Sequence, residues 1–148
     1  MATWQEFCGL AERFGGEKLN ETAWRFELAI PNENRVQTVF VFYEMMRPDF
    51  EVIQVKSAFV VLSQLDLDLP TLLQTCGQMQ VGAIGYSPTF EDDGSVKDGI
   101  LNISTSIPLA ALDLSDAVPF FLYLNILGQA ADSLERKASL FGSMVDGF

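Results

Sequence analysis

Between residues 22 and 62 the chain runs through three strand-like stretches joined by two proline turns, and this block decides most of what the sequence can become. Over residues 22–30, Trp24, Phe26, Leu28 and Ile30 alternate with Arg25 and Glu27. A period of two puts the large apolar side chains on one side of a strand and the charges on the other. Pro31-Asn32-Glu33-Asn34 then turns the chain into residues 35–45, where Phe40 and Phe42 share one face and Val39, Val41 and Tyr43 the other. After Arg47-Pro48-Asp49, residues 50–62 form a third run that is rich in β-branched side chains and again largely apolar. Two successive strands without a polar face need cover on both sides of a sheet, from helices or from a partner.

Helical patterns flank this block. Trp4, Phe7, Cys8, Leu10, Ala11 and Phe14 recur at helical spacing behind Thr3, a good capping residue, and Gly15-Gly16 closes the segment. Residues 66–68 lead into a second predicted helix, with Pro70 in its first turn and a stripe of Leu69, Leu72, Leu73, Cys76 and Met79. A fourth strand is expected over about residues 81–86. The linker 87–99 follows, with the hairpin-turn signature Glu91-Asp92-Asp93-Gly94-Ser95. The fifth strand, 100–108, sets Leu101, Ile103, Thr105 and Ile107 against Asn102, Ser104 and Ser106. A long helix comes last, capped by Ser115 or Asp116, with Pro119 in its first turns, and continuing to about Phe141, roughly 40 Å. Its first half, 120–127, is apolar nearly all round, which predicts a helix held between the sheet and something else. The pattern predicts an α+β fold with an antiparallel five-stranded sheet flanked by helices in the order α-β-β-β-α-β-β-α. At 148 residues a single domain over 1–148 is expected.

The chemistry narrows by elimination. Nine basic residues against twenty acidic ones give a net charge of −11, a field that repels a phosphate backbone. The one adjacent basic pair, Arg136-Lys137, follows Glu135, so no nucleic-acid partner is expected. The chain has no histidine, which removes Ser–His–Asp and Cys–His machinery and the commonest metal ligand. Cys8 and Cys76 are far apart and read as two free thiols of a reducing compartment, and no Cys-x-x-Cys pair points to zinc. Gly82-Ala83-Ile84-Gly85 is not a nucleotide loop; close backbone approach beside a strand accounts for it. Glu91, Asp92, Asp93 and Asp98 lack the alternating spacing of a calcium loop and read as a solvated turn. Nothing singles out a carboxylate pair for acid–base work. No enzyme activity, metal or cofactor is expected. The longest apolar run, 117–127, contains Pro119 and Asn125 and falls short of the roughly 20 residues that cross a bilayer. Residues 1–6 lack the basic start of a secretory leader, so a cytoplasmic protein without membrane contact is expected.

The aromatic residues carry the remaining functional signal. Trp24, Phe26, Phe40, Phe42, Phe120 and Tyr123 are the candidates for a partner-binding surface, although rings at strand or helix spacing serve a core equally well. Over residues 80–140 the chain also resembles a known family. Gly82, the Asp93-Gly94 turn, Gly99-Ile100-Leu101-Asn102-Ile103, Ile107-Pro108-Leu109 ahead of Leu114-Ser115, and Ala130-Ala131-Asp132-Ser133-Leu134 are similar to the YbjN-type branch of the type III secretion chaperone-like superfamily. Elsewhere the agreement is in element order. The resemblance implies a helix-flanked antiparallel sheet, often a homodimer, that holds a segment of another protein on an apolar surface without catalytic residues. It carries over no individual side chain as a site. The expected function is therefore a non-enzymatic protein-binding module. The competing expectation is a small-molecule-binding sensory or regulatory domain, which would enclose an apolar pocket.

Overall fold

Thr3 opens the first helix as its sequence position predicts. The computed structural model describes residues 2–31, 33–64, 70 and 82–146. Helix α1 spans Trp4–Arg13, and the Thr3 hydroxyl accepts from the Glu6 N–H at 3.2 Å. Gly15, at φ 84°, takes the left-handed conformation that ends the helix, and the Gly16 N–H donates back to the Ala11 carbonyl at 2.8 Å. Phe7 and Ala11, one turn apart, are the residues that α1 buries.

Among the described residues six strands follow: β1 (Glu17–Asn20), β2 (Ala23–Ala29), β3 (Val36–Arg47), β4 (Phe50–Val61), β5 (Ala83–Phe90) and β6 (Val96–Pro108). Each neighbour pair is antiparallel, in the order β1-β2-β3-β4-β6-β5. The sheet is thus six-stranded, not five-stranded. The added strand, β1, is four exposed residues with no apolar alternation, so it carries no periodic signal. It forms because the turn at Asn20, whose side chain accepts from the Thr22 N–H at 2.8 Å, folds it back on β2, where Glu17 pairs with Arg25. The expected linker 87–99 is mostly strand, since β5 runs on to Phe90 and β6 starts at Val96. Only the acidic turn remains between them, with Asp93 Oδ1 accepting from the Ser95 N–H at 2.9 Å. The expected helix on Leu69, Leu72, Leu73, Cys76 and Met79 lies outside the described residues.

Helix α2 spans Val118–Asp146, starting two to three residues after the predicted caps and ending beyond Phe141. Its 29 residues reach about 43 Å. It lies across β3 and β4 on the same sheet face as α1. The core is built there. The rows Trp24–Val41–Val55 and Phe26–Val39 face Phe7, Phe121, Leu124 and Leu127. Gly128 allows the close approach, since a β-carbon there would stand 3.1 Å from Leu28 Cδ1 and 3.3 Å from Val39 Cγ2. An ionic clasp fixes the far half of α2 to the β2–β3 turn. The buried Asp132 carboxylate accepts from Arg35 Nε at 2.8 Å, and Arg136, 2.9 Å from its other oxygen, reaches Glu33 at 3.0 Å. The opposite sheet face carries Arg25, Phe40, Lys56 and Ser104 in one cross-strand row and Ala23, Phe42, Gln54 and Ser106 in the next. Neither α1 nor α2 covers it.

Candidate partner-binding face

The start of α2 is positioned by the turn before it. Asp113 Oδ1 accepts from both the N–H (3.0 Å) and the hydroxyl (2.5 Å) of Ser115, a local turn that competes with helix and delays its start to Val118. Those two donors, hydroxyl first, hold the Asp113 carboxyl below its ordinary range, so it is ionised at neutral pH. A 3-10 turn, Leu109–Ala111, brings the chain from β6 to this point, with Leu109 buried.

Once started, α2 separates its apolar residues onto two sides. Phe120, Phe121, Leu124, Leu127, Ala131 and Leu134 turn inward and are buried. Val118, Leu122 and Ile126, spaced by one turn each, stand on the outward side, 53%, 57% and 49% exposed. The first half of the helix is therefore not enclosed on all sides among the described residues. An open cleft of about 370 Å³, lined by Pro119 and Tyr123 rather than by the stripe residues that precede them in sequence, lies between the 109–116 connection and the first turns of α2. Ile107, Leu112, Pro119, Phe120 and Tyr123 form its apolar wall, and Asp113 and Asp116 its acidic edge. Neither carboxylate takes part in an ion pair among the described residues.

The six candidate aromatics fall into three groups. Trp24 and Phe26, 4% and 2% exposed, belong to the core and leave no ring surface for a partner. Phe40 and Phe42 are half-buried on the sheet face that α1 and α2 leave uncovered, stacked at 5.9 Å between centroids, with Lys56 Nζ 5.8 Å from the Phe42 ring. Phe120 is packed edge-on against Phe7 at 5.5 Å, while its remaining edge and the half-buried Tyr123 line the cleft. Only Phe120 and Tyr123 thus meet at the α2 face. Val118, Leu122, Ile126 and Asp113 were not singled out by sequence reasoning, and Asp116 was named there only as a candidate helix cap. An all-round apolar helix packed on one sheet signals a second apolar side, but its pattern does not say which residues lie on that side.

Two carboxylates of the acidic stretch are taken up by local hydrogen bonds. Asp93 spends its oxygen on Ser95, and Asp98 accepts from the Ser63 hydroxyl, the Ser63 N–H at 3.1 Å and the Gly99 N–H at 2.8 Å. Among the described residues no three Cys, Asp or Glu side chains converge as metal ligands, and no helix is long and apolar enough to cross a membrane. No protein-family model matches the chain, and neither the curated proteins nor the solved structures gave a match.

Proposed function

We propose that the protein is a non-enzymatic protein-binding module that holds a segment of a partner on the outward face of α2. The observation that carries this reading is the stripe of Val118, Leu122 and Ile126, three large aliphatic side chains on consecutive turns with about half of each in water. Single exposed apolar residues are ordinary, but a contiguous stripe on a helix that also walls an apolar cleft is the signature of a surface that is covered in use. A helical or extended segment laid along α2 would place its own apolar residues on the same spacing. The chaperone-like resemblance of residues 80–140 points the same way, because that family is expected to hold client segments on apolar surface. The clefts at Ile107–Tyr123, at Ile30–Arg136 and at Cys8–Trp24 are open to solvent, which suits docking better than enclosure of a small molecule.

The test is photo-crosslinking in the native lysate, with a benzophenone side chain replacing Leu122 in one protein and the exposed Glu27 of the sheet in another. The reading expects one stoichiometric protein adduct at position 122, absent at position 27 and reduced when Val118 and Ile126 are changed to Ser. Equal adducts at both positions, or none at 122 with the protein folded, would remove α2 as the binding face.

A further inference from the structure

We infer that the segment held on α2 is cationic as well as apolar: its large apolar side chains cover Val118, Leu122 and Ile126, and its Lys or Arg residues meet Asp113 and Asp116 at the cleft. The inference rests on the docking reading above and adds the chemistry of the occupant. It follows from how charge is arranged around the apolar surface. From Asp98 to Glu135 the chain contains no Lys or Arg, and its acids there are Asp98, Asp113, Asp116, Asp132 and Glu135. Asp132 is neutralised by Arg35 and Arg136, Glu135 stands 3.5 Å from Arg35, and Asp98 is turned toward Ser63. Asp113 and Asp116 are left, among the described residues, as unpaired anions on the edge of an apolar cleft.

A neutral apolar segment closing over this cleft would strip water from both carboxylates and return nothing, a cost that falls directly on affinity. A cationic segment replaces that water with charge-assisted hydrogen bonds. The Asp113 carboxylate takes both Ser115 donors on Oδ1 and the Asp116 N–H besides, and with about four acceptor positions it can still accept from an incoming donor. Over longer distances the net charge of −11 draws cations to the whole molecule and speeds their encounter. The same arrangement argues against the other occupants. A second copy would bring its own Asp113 and Asp116 to this face, and an anionic lipid surface would be repelled.

The experiment is fluorescence anisotropy with three synthetic amphipathic peptides that share one leucine face and carry Lys, Gln or Glu at every polar position. The expected result is that the Lys peptide binds about tenfold more tightly than the Gln peptide, and the Glu peptide more weakly than either. In the double variant Asp113→Asn, Asp116→Asn the Lys and Gln peptides become equal, with Gln-peptide binding retained. The amide oxygen that this variant carries at position 113 can still accept from Ser115, so the turn is kept. Leu122→Ser weakens every peptide that binds. Equal binding of all three peptides to the unmodified protein, sensitive to Leu122→Ser, would overturn the charge selection and leave the docking face standing. Absence of any Leu122-dependent binding would overturn both. A Leu122-dependent dimer in light scattering at low salt, or Leu122-dependent binding to anionic phosphatidylserine vesicles, would assign the face to another occupant and overturn the inference.

Discussion

Asp98 illustrates how a side chain that looks like a ligand in sequence is committed to structure in the fold. It lies in β6, and Ser63 lies in the 3-10 turn Leu62–Gln64 that follows β4, so their contact ties the exit of one strand to the entry of its neighbour. The Ser63 hydroxyl is the largest cause of the lowered Asp98 pKa, followed by the Gly99 N–H, because both donate to the ionised form. A carboxyl whose folded pKa lies below its unfolded value of 3.8 stabilises the fold fully above that value, and loses the contribution as pH falls through the folded pKa. Carboxyl-carbon NMR during acid titration should place the Asp98 midpoint below 3.8, and Ser63→Ala should raise it. The stability difference between the two proteins should shrink below about pH 4. A midpoint at or above the ordinary value in the unmodified protein would show that the contact does not hold in solution. Tyr43 is the opposite case: it donates to Glu51 at 2.7 Å, and the bond, burial and the Glu51 charge all push its pKa up.

Among the elements, α2 carries both stability and the proposed site, on different sides. Leu124 is fully buried between α2 and the sheet, whereas Leu122, two residues earlier, faces solvent. Leu124→Ala removes core contacts and leaves a cavity, and should cost about 3 kcal/mol in urea unfolding. Leu122→Ala should stay within about 0.5 kcal/mol. Similar costs at the two positions would mean that the outward face is covered within the folded chain. The helix itself was legible from its length and apolar density, and so were α1 and the long strands, where Trp24 and Phe26 alternate or Thr3 and Gly15 mark an end. What escaped was structure imposed by neighbours. The polar β1 is a strand only because β2 offers it an edge, and β5 and β6 continue into residues 87–99 because each supplies the other's hydrogen bonds. The candidate site was half legible for a related reason. Phe120 and Tyr123 were chosen as aromatics, but which side of an all-apolar helix is left outside depends on where the sheet lies, and no local pattern in 118–127 encodes that.

On the scale of the whole molecule, electrostatics decides how often two copies meet. Each chain carries −11 on 16.4 kDa, and of its acids Asp113 and Asp116 lie on the edge of the apolar cleft at the start of α2. Bringing two such faces together places like charges across a partly dry interface, where repulsion is least screened. The homodimer that the family resemblance implies would therefore have to use another surface, or wait for salt. Screening lengths fall from about 10 Å at 0.1 M salt to about 3 Å at 1 M, so self-association through α2 should grow with ionic strength. Binding of a cationic segment at the same face should weaken over that range, and the opposite slopes separate the two processes in one set of solutions. Light scattering at micromolar protein and low salt should return a mass near 16.4 kDa, with any heavier species appearing as salt is added and suppressed by Leu122→Ser. A dimer of twice that mass at low salt, insensitive to salt and to Leu122→Ser, would place self-association elsewhere on the fold. The sheet face opposite α1 and α2, with Phe40, Phe42 and Lys56, would be the first surface to mutate, since there a half-buried aromatic pair lies beside a cation that has no ion-pair partner among the described residues.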